Sequence, residues 1–180
     1  MSAAGRVIEP AGELGLRPAR ADDAAWLFDW ANDPATRAAS FDRAPIPWPD
    51  HVAWLAAVLA APDRRLWIAE EAGVPVGQVR VDRGPDGLGV VSIGLAPGAR
   101  GRGLGRVALQ MGLVAATREL GIRRARAVVM ATNVASRRLF EGAGFTVVVG
   151  AGVSSEPGRS GAIVLESDAD AVATDGGGST

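Results

Sequence analysis

The sequence predicts a single α/β (α+β) domain, a mixed and mostly antiparallel central sheet flanked by helices. The order of patterns is the first observation. Two helical segments come early, three apolar strand-like runs follow with turns at Gly73 and residues 84–87, and strand and helix then alternate to Phe145. The second observation is chemical. Arg100-Gly101-Arg102-Gly103-Leu104-Gly105 lies between an apolar strand and a long helix pattern, where unpaired amides at a helix start make an anion site.

Residues 14–17 read as a short first strand. Asp22 or Asp23 can cap a helix whose apolar content is Ala25, Trp26, Phe28 and Trp30 and which stops near Pro34. Residues 34–47 read as a loop. A second helix starts at Trp48-Pro49-Asp50, with proline in its first turn, and carries His51, Trp54, Leu55 and Val58 on one face as far as Pro62. Residues 66–70, 74–81 and 88–95 form a three-strand meander. After the glycine run, Leu104, Val107, Ala108, Met111 and Val114 or Ala115 recur at helical spacing. Residues 124–130 read as a strand. Residues 133–145 read as a short helix with Asn133 suited to its start and Gly142 or Gly144 to its end. Residues 146–149 and 162–166 make a last strand pair. Residues 1–13 and the acidic, glycine-rich 167–180 read as flexible ends around a domain spanning 14–166.

Bulk properties narrow the function. The 180 residues are 48% hydrophobic with mean hydropathy +0.15, enough for one real core. A net charge of −1 gives no global field for nucleic acid or anionic membrane. Without cysteine there is no disulfide, thiolate metal site or acyl-cysteine intermediate. No apolar run reaches the ~20 residues of a membrane span and no signal-peptide core opens the chain, so a cytoplasmic protein binding no metal is expected.

The glycine run excludes two common phosphate loops. A mononucleotide loop needs Lys-Ser/Thr after its last glycine, and all 19 Lys-plus-Arg positions here are arginine. A dinucleotide loop needs G-x-G-x-x-G and an acid about 20 residues on, whereas the third glycine comes one place early and Gly121-Ile122 fill the acidic slot. What remains, Arg-x-x-Gly-x-Gly between strand and helix, resembles the acetyl-CoA loop of the GNAT superfamily of acyltransferases. Residues 133–145 (Asn-Val-Ala-Ser-Arg-Arg-Leu-Phe-Glu-Gly-Ala-Gly-Phe) are similar to that superfamily's Asn-x-x-Ala/Ser-x-x-Leu-Tyr/Phe-x-x-x-Gly-Phe segment. The two motifs stand about 30 residues apart in the family's order.

The resemblance implies acetyl transfer from acetyl-CoA, as co-substrate, directly to an amine in a ternary complex. Arg100, Gly101, Arg102, Gly103, Leu104, Gly105 and Arg106 would hold the diphosphate, with Asn133, Ser136 and Phe140 also on the coenzyme. The strand before the loop would be splayed by a bulge, with Gly94 suited to it. Backbone groups of Ile93 and Leu95 would then pair with pantetheine, and an N–H near Leu95 would polarise the thioester. Many relatives place a tyrosine acid at the position of Phe140, and this chain contains no tyrosine; Ser136 is a hydroxyl substitute or simply a first-turn residue. His51, the only histidine, and Glu70 are candidate bases, although His51, on the apolar face of its helix, reads first as packing.

The acceptor belongs to the N-terminal third. Trp30-Ala-Asn32-Asp33, Arg37, Ser40, Ile46 and His51-Val-Ala-Trp54-Leu55 resemble GNAT proteins that acetylate amino-sugar nucleotides, as in the pseudaminic-acid pathway. That likeness makes Trp30, Asn32, Arg37, His51 and Trp54 acceptor contacts: aromatic faces for rings, arginine for phosphate. Residues 16–24 also resemble the ribosomal-protein type of N-terminal acetyltransferase. A non-catalytic acetyl-CoA-binding module and a homodimer are further options the resemblance leaves open.

Overall fold

The computed structural model describes residues 13–148 and 161–169. The expected flexible ends, apart from residues 13 and 167–169, lie outside that range, as does residue 149 of the expected last strand pair.

Seven strands form one sheet in the order β1-β2-β3-β4-β5-β7-β6. They are β1 (Leu14–Pro18), β2 (Arg64–Glu71), β3 (Val74–Arg83), β4 (Leu88–Leu95), β5 (Arg124–Met130), β6 (Thr146–Val147) and β7 (Ala162–Asp168). Among the described residues only the β4–β5 pair is parallel. The helices are α1 (Ala24–Asn32), α2 (Pro34–Ala38), α3 (Trp48–Ala60), α4 (Leu104–Leu120) and α5 (Val134–Gly142). The fold is therefore the mixed α/β arrangement read from the pattern.

Strand alternation divides the side chains between two cores. Trp67, Ala69, Val79, Val81 and Val91 face α4, where they meet Ala108, Leu109, Leu113 and Ala116. Leu66 and Ile68 face the other way, against Leu27, Leu55 and Val58 of α1 and α3. α4 sits unusually close to the sheet, because a Cβ on Gly112 would lie 2.5 Å from Val79 Cγ1.

Four local expectations need correction. Residues 34–38 form a helix rather than loop, since the Asp33 side chain accepts the Thr36 N–H and Pro34 fills the first turn. In α1 the fully buried side chain is Leu27, while Trp26 is exposed. In α4 the buried stripe runs through Gly105, Ala108, Leu109, Gly112, Leu113 and Ala116, with Val107 exposed; its glycines carry no apolar weight, which disguised its phase. Finally, the β3–β4 register is unbroken from Gly77↔Leu95 to Arg83↔Gly89, so Gly94 is a regular partner of Gln78 and not a bulge. The register slip of this sheet falls instead between Ala69 and Glu70 of β2. β7 also runs two residues beyond the expected domain edge, to Asp168.

Candidate active site

The sheet opens at its centre. β4 pairs with β5 only at Leu88↔Arg124, Gly89↔Ala125 and Val90↔Arg126, although the strands continue to Leu95 and Met130. Antiparallel ladders alternate bonded and non-bonded pairs. Ala96 N donates to Val76 O and Gly84 N to Leu88 O, so Ser92 and Gly94 are the β4 positions bonded to β3. Ile93 and Leu95 therefore turn their N–H and C=O groups toward β5, where the ladder has ended. The splay needs no bulge; the strands simply part beyond residue 90, with Leu95 and Leu139 side chains packed about Gly105 beside the opening.

At the open end of β4 stands the start of α4. Gly101 and Gly103 have φ of +73° and +80°, a left-handed conformation that glycine adopts without penalty. Gly103 is the N-cap and no side chain caps the helix, so the first-turn amides project outward with the positive end of the dipole. A Cβ at either glycine would meet nothing within 4 Å, so the space above the loop is open. Gly105 is different: a Cβ there would lie 2.6 Å from Leu139 Cδ1, which makes it the contact point between α4 and α5. The first turn of α4 contains no acid and does contain the exposed Arg106. A cation at a helix N-terminus is unfavourable unless an anion joins it, and an anion is the ligand this end suits.

The loop's other arginines are engaged. Arg100 donates through Nη1 to Asp33 Oδ2 (2.8 Å), through Nη2 to Thr36 Oγ1 (2.9 Å) and through Nε to the Leu95 carbonyl (3.3 Å). Arg100, followed by the Thr36 N–H, holds the Asp33 carboxyl below the usual range. Arg102 Nη2 donates to both Glu71 carboxylate oxygens at 2.8 and 2.7 Å. In α5, Asn133 Oδ1 accepts the Ser136 N–H at 3.1 Å, a helix cap, and Ser136 is half-buried in that turn. Phe140 is 2% exposed and packs edge-on to Phe145 at 5.1 Å, as a core residue.

The residues expected on the acceptor side lie in α1, α2 and α3, and Asn32, Arg37 and His51 place their polar groups against the chain's own backbone. Asn32 Nδ2 donates to Ile46 O (3.1 Å) while Ile46 N donates to Asn32 Oδ1 (2.8 Å). Arg37 spends its guanidinium on Ala31 O, Asp42 O, Ala44 O and Ser40 Oγ. Together they fasten the segment between α2 and α3. His51 is 2% exposed, with Nε2 3.0 Å from Ala24 O and its ring among Phe28, Trp48 and Trp54. Burial pushes its pKa down and the Ala24 contact only partly opposes this. Enclosed and neutral, His51 is a packing residue and is not placed to take an acceptor's proton. Glu70 accepts from Arg17 Nε at 2.7 Å, and the same guanidinium grips Asp23 with both nitrogens, depressing the Asp23 carboxyl. Trp30 and Trp54 are half-buried against the smaller core.

A polar row of β3 went unread in the sequence. Gln78, Arg80 and Asp82 alternate with the buried Val79 and Val81 of β3. Gln78 Nε2 lies 3.5 Å from where a Gly94 Cβ would stand. The Arg80 guanidinium is 5.8 Å from the Trp54 ring centroid and pairs with Asp82 at 3.2 Å. Gln78 Oε1, Arg80 Nε and Asp82 Oδ1 are buried without a hydrogen-bond partner, a costly condition for polar atoms. The signal was the strict polar–apolar alternation of a central strand, which requires three polar groups beneath the helices.

Known proteins share this architecture. The Acetyltransferase (GNAT) domain family model matches residues 13–146. The structure of yncA from Salmonella typhimurium with its cofactor acetyl-CoA is 25% identical, covers 87% of this chain and 94% of its own, and superposes with a TM-score of 0.69. Spermidine N-acetyltransferase from Vibrio cholerae, in complex with CoA and spermine, is 16% identical with a TM-score of 0.76 over 88% of this chain and 97% of its own. Phosphinothricin acetyltransferase from Sinorhizobium meliloti, in complex with acetyl-CoA, is 20% identical with a TM-score of 0.70 over 86% and 88%. No curated protein matches the sequence. The non-catalytic module is not favoured by these matches. Among the described residues no helix is long and apolar enough to cross a membrane, and no His, Asp and Glu cluster could hold a metal ion. The matched span takes in every element from β1 to the first residue of β6, so the chain belongs to the GNAT acetyltransferase family and is an acetyl-CoA-dependent N-acetyltransferase.

Proposed function

We propose that the acceptor is the primary amine of a small, hydroxyl-rich molecule, an amino-sugar nucleotide in the first instance, acetylated by direct attack in a ternary complex in the cytoplasm. The observation that carries this reading is Gln78 and Arg80 of β3, each with one buried polar atom lacking a hydrogen bond, opposite Gly94 and Ser92 of β4, where the β4–β5 ladder has ended. They offer one neutral amide and one guanidinium N–H, which suits a ligand bearing both hydrogen-bond donors and acceptors. A polyamine would call for several unpaired carboxylates instead.

In this reading the outward amides of residues 101–106 hold the diphosphate of acetyl-CoA, and Ile93 and Leu95 pair with its pantetheine arm. The Leu95 N–H donates to the thioester oxygen as the amine nitrogen bonds to the carbonyl carbon and the carbon–sulfur bond breaks. A preorganised donor of this kind contributes about 2.7–4 kcal/mol. With Glu70 bound to Arg17 and His51 enclosed, the amine passes its proton to water. The sulfur leaves as thiolate, its conjugate thiol having an ordinary pKa of about 8.5, and takes its proton from water without a tyrosine acid; the Ser136 hydroxyl is the side-chain substitute offered by the Asn133 motif.

Release of free CoA thiol, followed with separate pools of amino-sugar nucleotides, peptides and simple amines, tests the assignment. Acceptor-dependent release with the sugar nucleotides is expected. Release with peptides alone would replace the sugar reading by the N-terminal acetyltransferase one.

A further inference from the structure

We propose that Arg100 is a positioning residue, a strap between the glycine loop and the acceptor-side helices, and that its side chain does not ligate the diphosphate. The inference rests on the acetyl-transfer reading above. The three donor sets of its guanidinium meet three acceptors on two distant parts of the chain: the Leu95 carbonyl, Asp33 and Thr36. Asp33 caps α2 by accepting the Thr36 N–H, and the Thr36 hydroxyl donates to the same carboxylate oxygen at 3.3 Å. Arg100 thus closes a ring of hydrogen bonds with α2's cap, 64 to 67 residues away in sequence.

The Leu95 contact gives the strap its consequence. On the open side of β4, Leu95 presents one carbonyl and one N–H, and Arg100 takes the carbonyl. Anchoring that carbonyl holds the Leu95–Ala96 peptide, one φ/ψ pair away from the peptide that carries the residue's remaining donor. A planar guanidinium spreads its donors over three nitrogens in a rigid fork, a span that the single nitrogen of an ammonium does not reproduce. The helices over the acceptor face and the strand end beside the thioester site are therefore held as one piece, and misplacing that donor by about 1 Å costs about a hundredfold in rate.

The test separates a strap from a phosphate ligand. Asp33→Asn keeps a good helix cap but removes the charged partner and releases Arg100. As a strap, Arg100→Gln and Asp33→Asn each lower kcat about ten- to hundredfold. The loss is the same with acetyl-CoA and with S-acetylpantetheine, which lacks the diphosphate, and the double variant is no worse than either single. Thr36→Val, which spares the cap, gives a smaller loss in the same direction, and Arg100→Lys does not restore the rate. As a phosphate ligand, Arg100→Gln would raise KM for acetyl-CoA alone while Asp33→Asn remained fully active, and that pattern overturns the proposal. A wild-type protein that neither binds acetyl-CoA nor releases thiol contradicts the underlying transfer reading, whereas active wild type with additive single losses contradicts only the strap.

Discussion

Asn32 and Ile46 hold each other by two hydrogen bonds, side-chain amide to carbonyl and backbone N–H to side-chain oxygen. The pair pins the segment entering α3 onto the end of α1. This gives the tryptophan–asparagine motif a structural meaning: its polar residues fasten α1, α2 and the segment entering α3 to one another.

Asn32→Ala should accordingly act on stability. Leaving the Ile46 N–H and C=O without their partner costs about 1–3 kcal/mol, read from denaturant unfolding, while KM for the acceptor stays within about twofold. A large rise in KM with unchanged stability would return Asn32 to the acceptor site.

Gly103 at the N-cap of α4 and Gly112 within it separate conformation from packing. Gly103→Ala meets no neighbour but must hold φ near +80°, costing about 1–2 kcal/mol and raising KM for acetyl-CoA. Gly112→Ala places its methyl 2.5 Å from Val79 Cγ1 and should destabilise by about 1–3 kcal/mol. Val79→Ala should recover part of that loss, measured as a double-mutant cycle of unfolding; strict additivity would contradict the close contact.

Phe140→Tyr places a hydroxyl within the core beside Phe145. Without a partner there it costs about 1–3 kcal/mol, and turnover should change by less than about tenfold. A rise of several orders of magnitude would mean that an acid has been restored to a decayed enzyme.

His51 sets the response to mild acid. Its pKa lies below the ordinary 6.5 because the folded protein buries it, so the unfolded chain binds the proton first and stability falls as pH drops below about 6.5. His51→Gln should flatten melting temperature across that window. Asp23 and Asp33, held below the ordinary 3.8 by Arg17 and Arg100, act at lower pH: stability present above 3.8 is lost as pH falls through their depressed values. A wild-type melting temperature unchanged from pH 7 to 5 would contradict the buried, neutral histidine.

The glycine run, the sheet elements and the mixed topology were legible because they rest on local signals: turn residues, strand alternation and a helix start. The acceptor side was less so. Asn32, Arg37 and His51 carry polar chemistry that reads alike whether it meets a ligand or the chain's own carbonyls, and only distances such as Arg37 Nε to Ala31 O, 2.6 Å, decide. Arg100 and Arg102 likewise look free in sequence, since Asp33 and Glu71 lie far away along the chain. The row of Gln78, Arg80 and Asp82 was readable in principle, but its meaning depends on which helices cover it.

Calorimetric titration with acetyl-CoA and with S-acetylpantetheine tests the central claim most directly. Saturable binding of one acetyl-CoA per chain, weakened by Gly103→Ala and much weaker for the analogue without a diphosphate, is the result expected of the amides that open α4. No heat with acetyl-CoA in fully folded protein, or equal affinity for the two compounds, would contradict it.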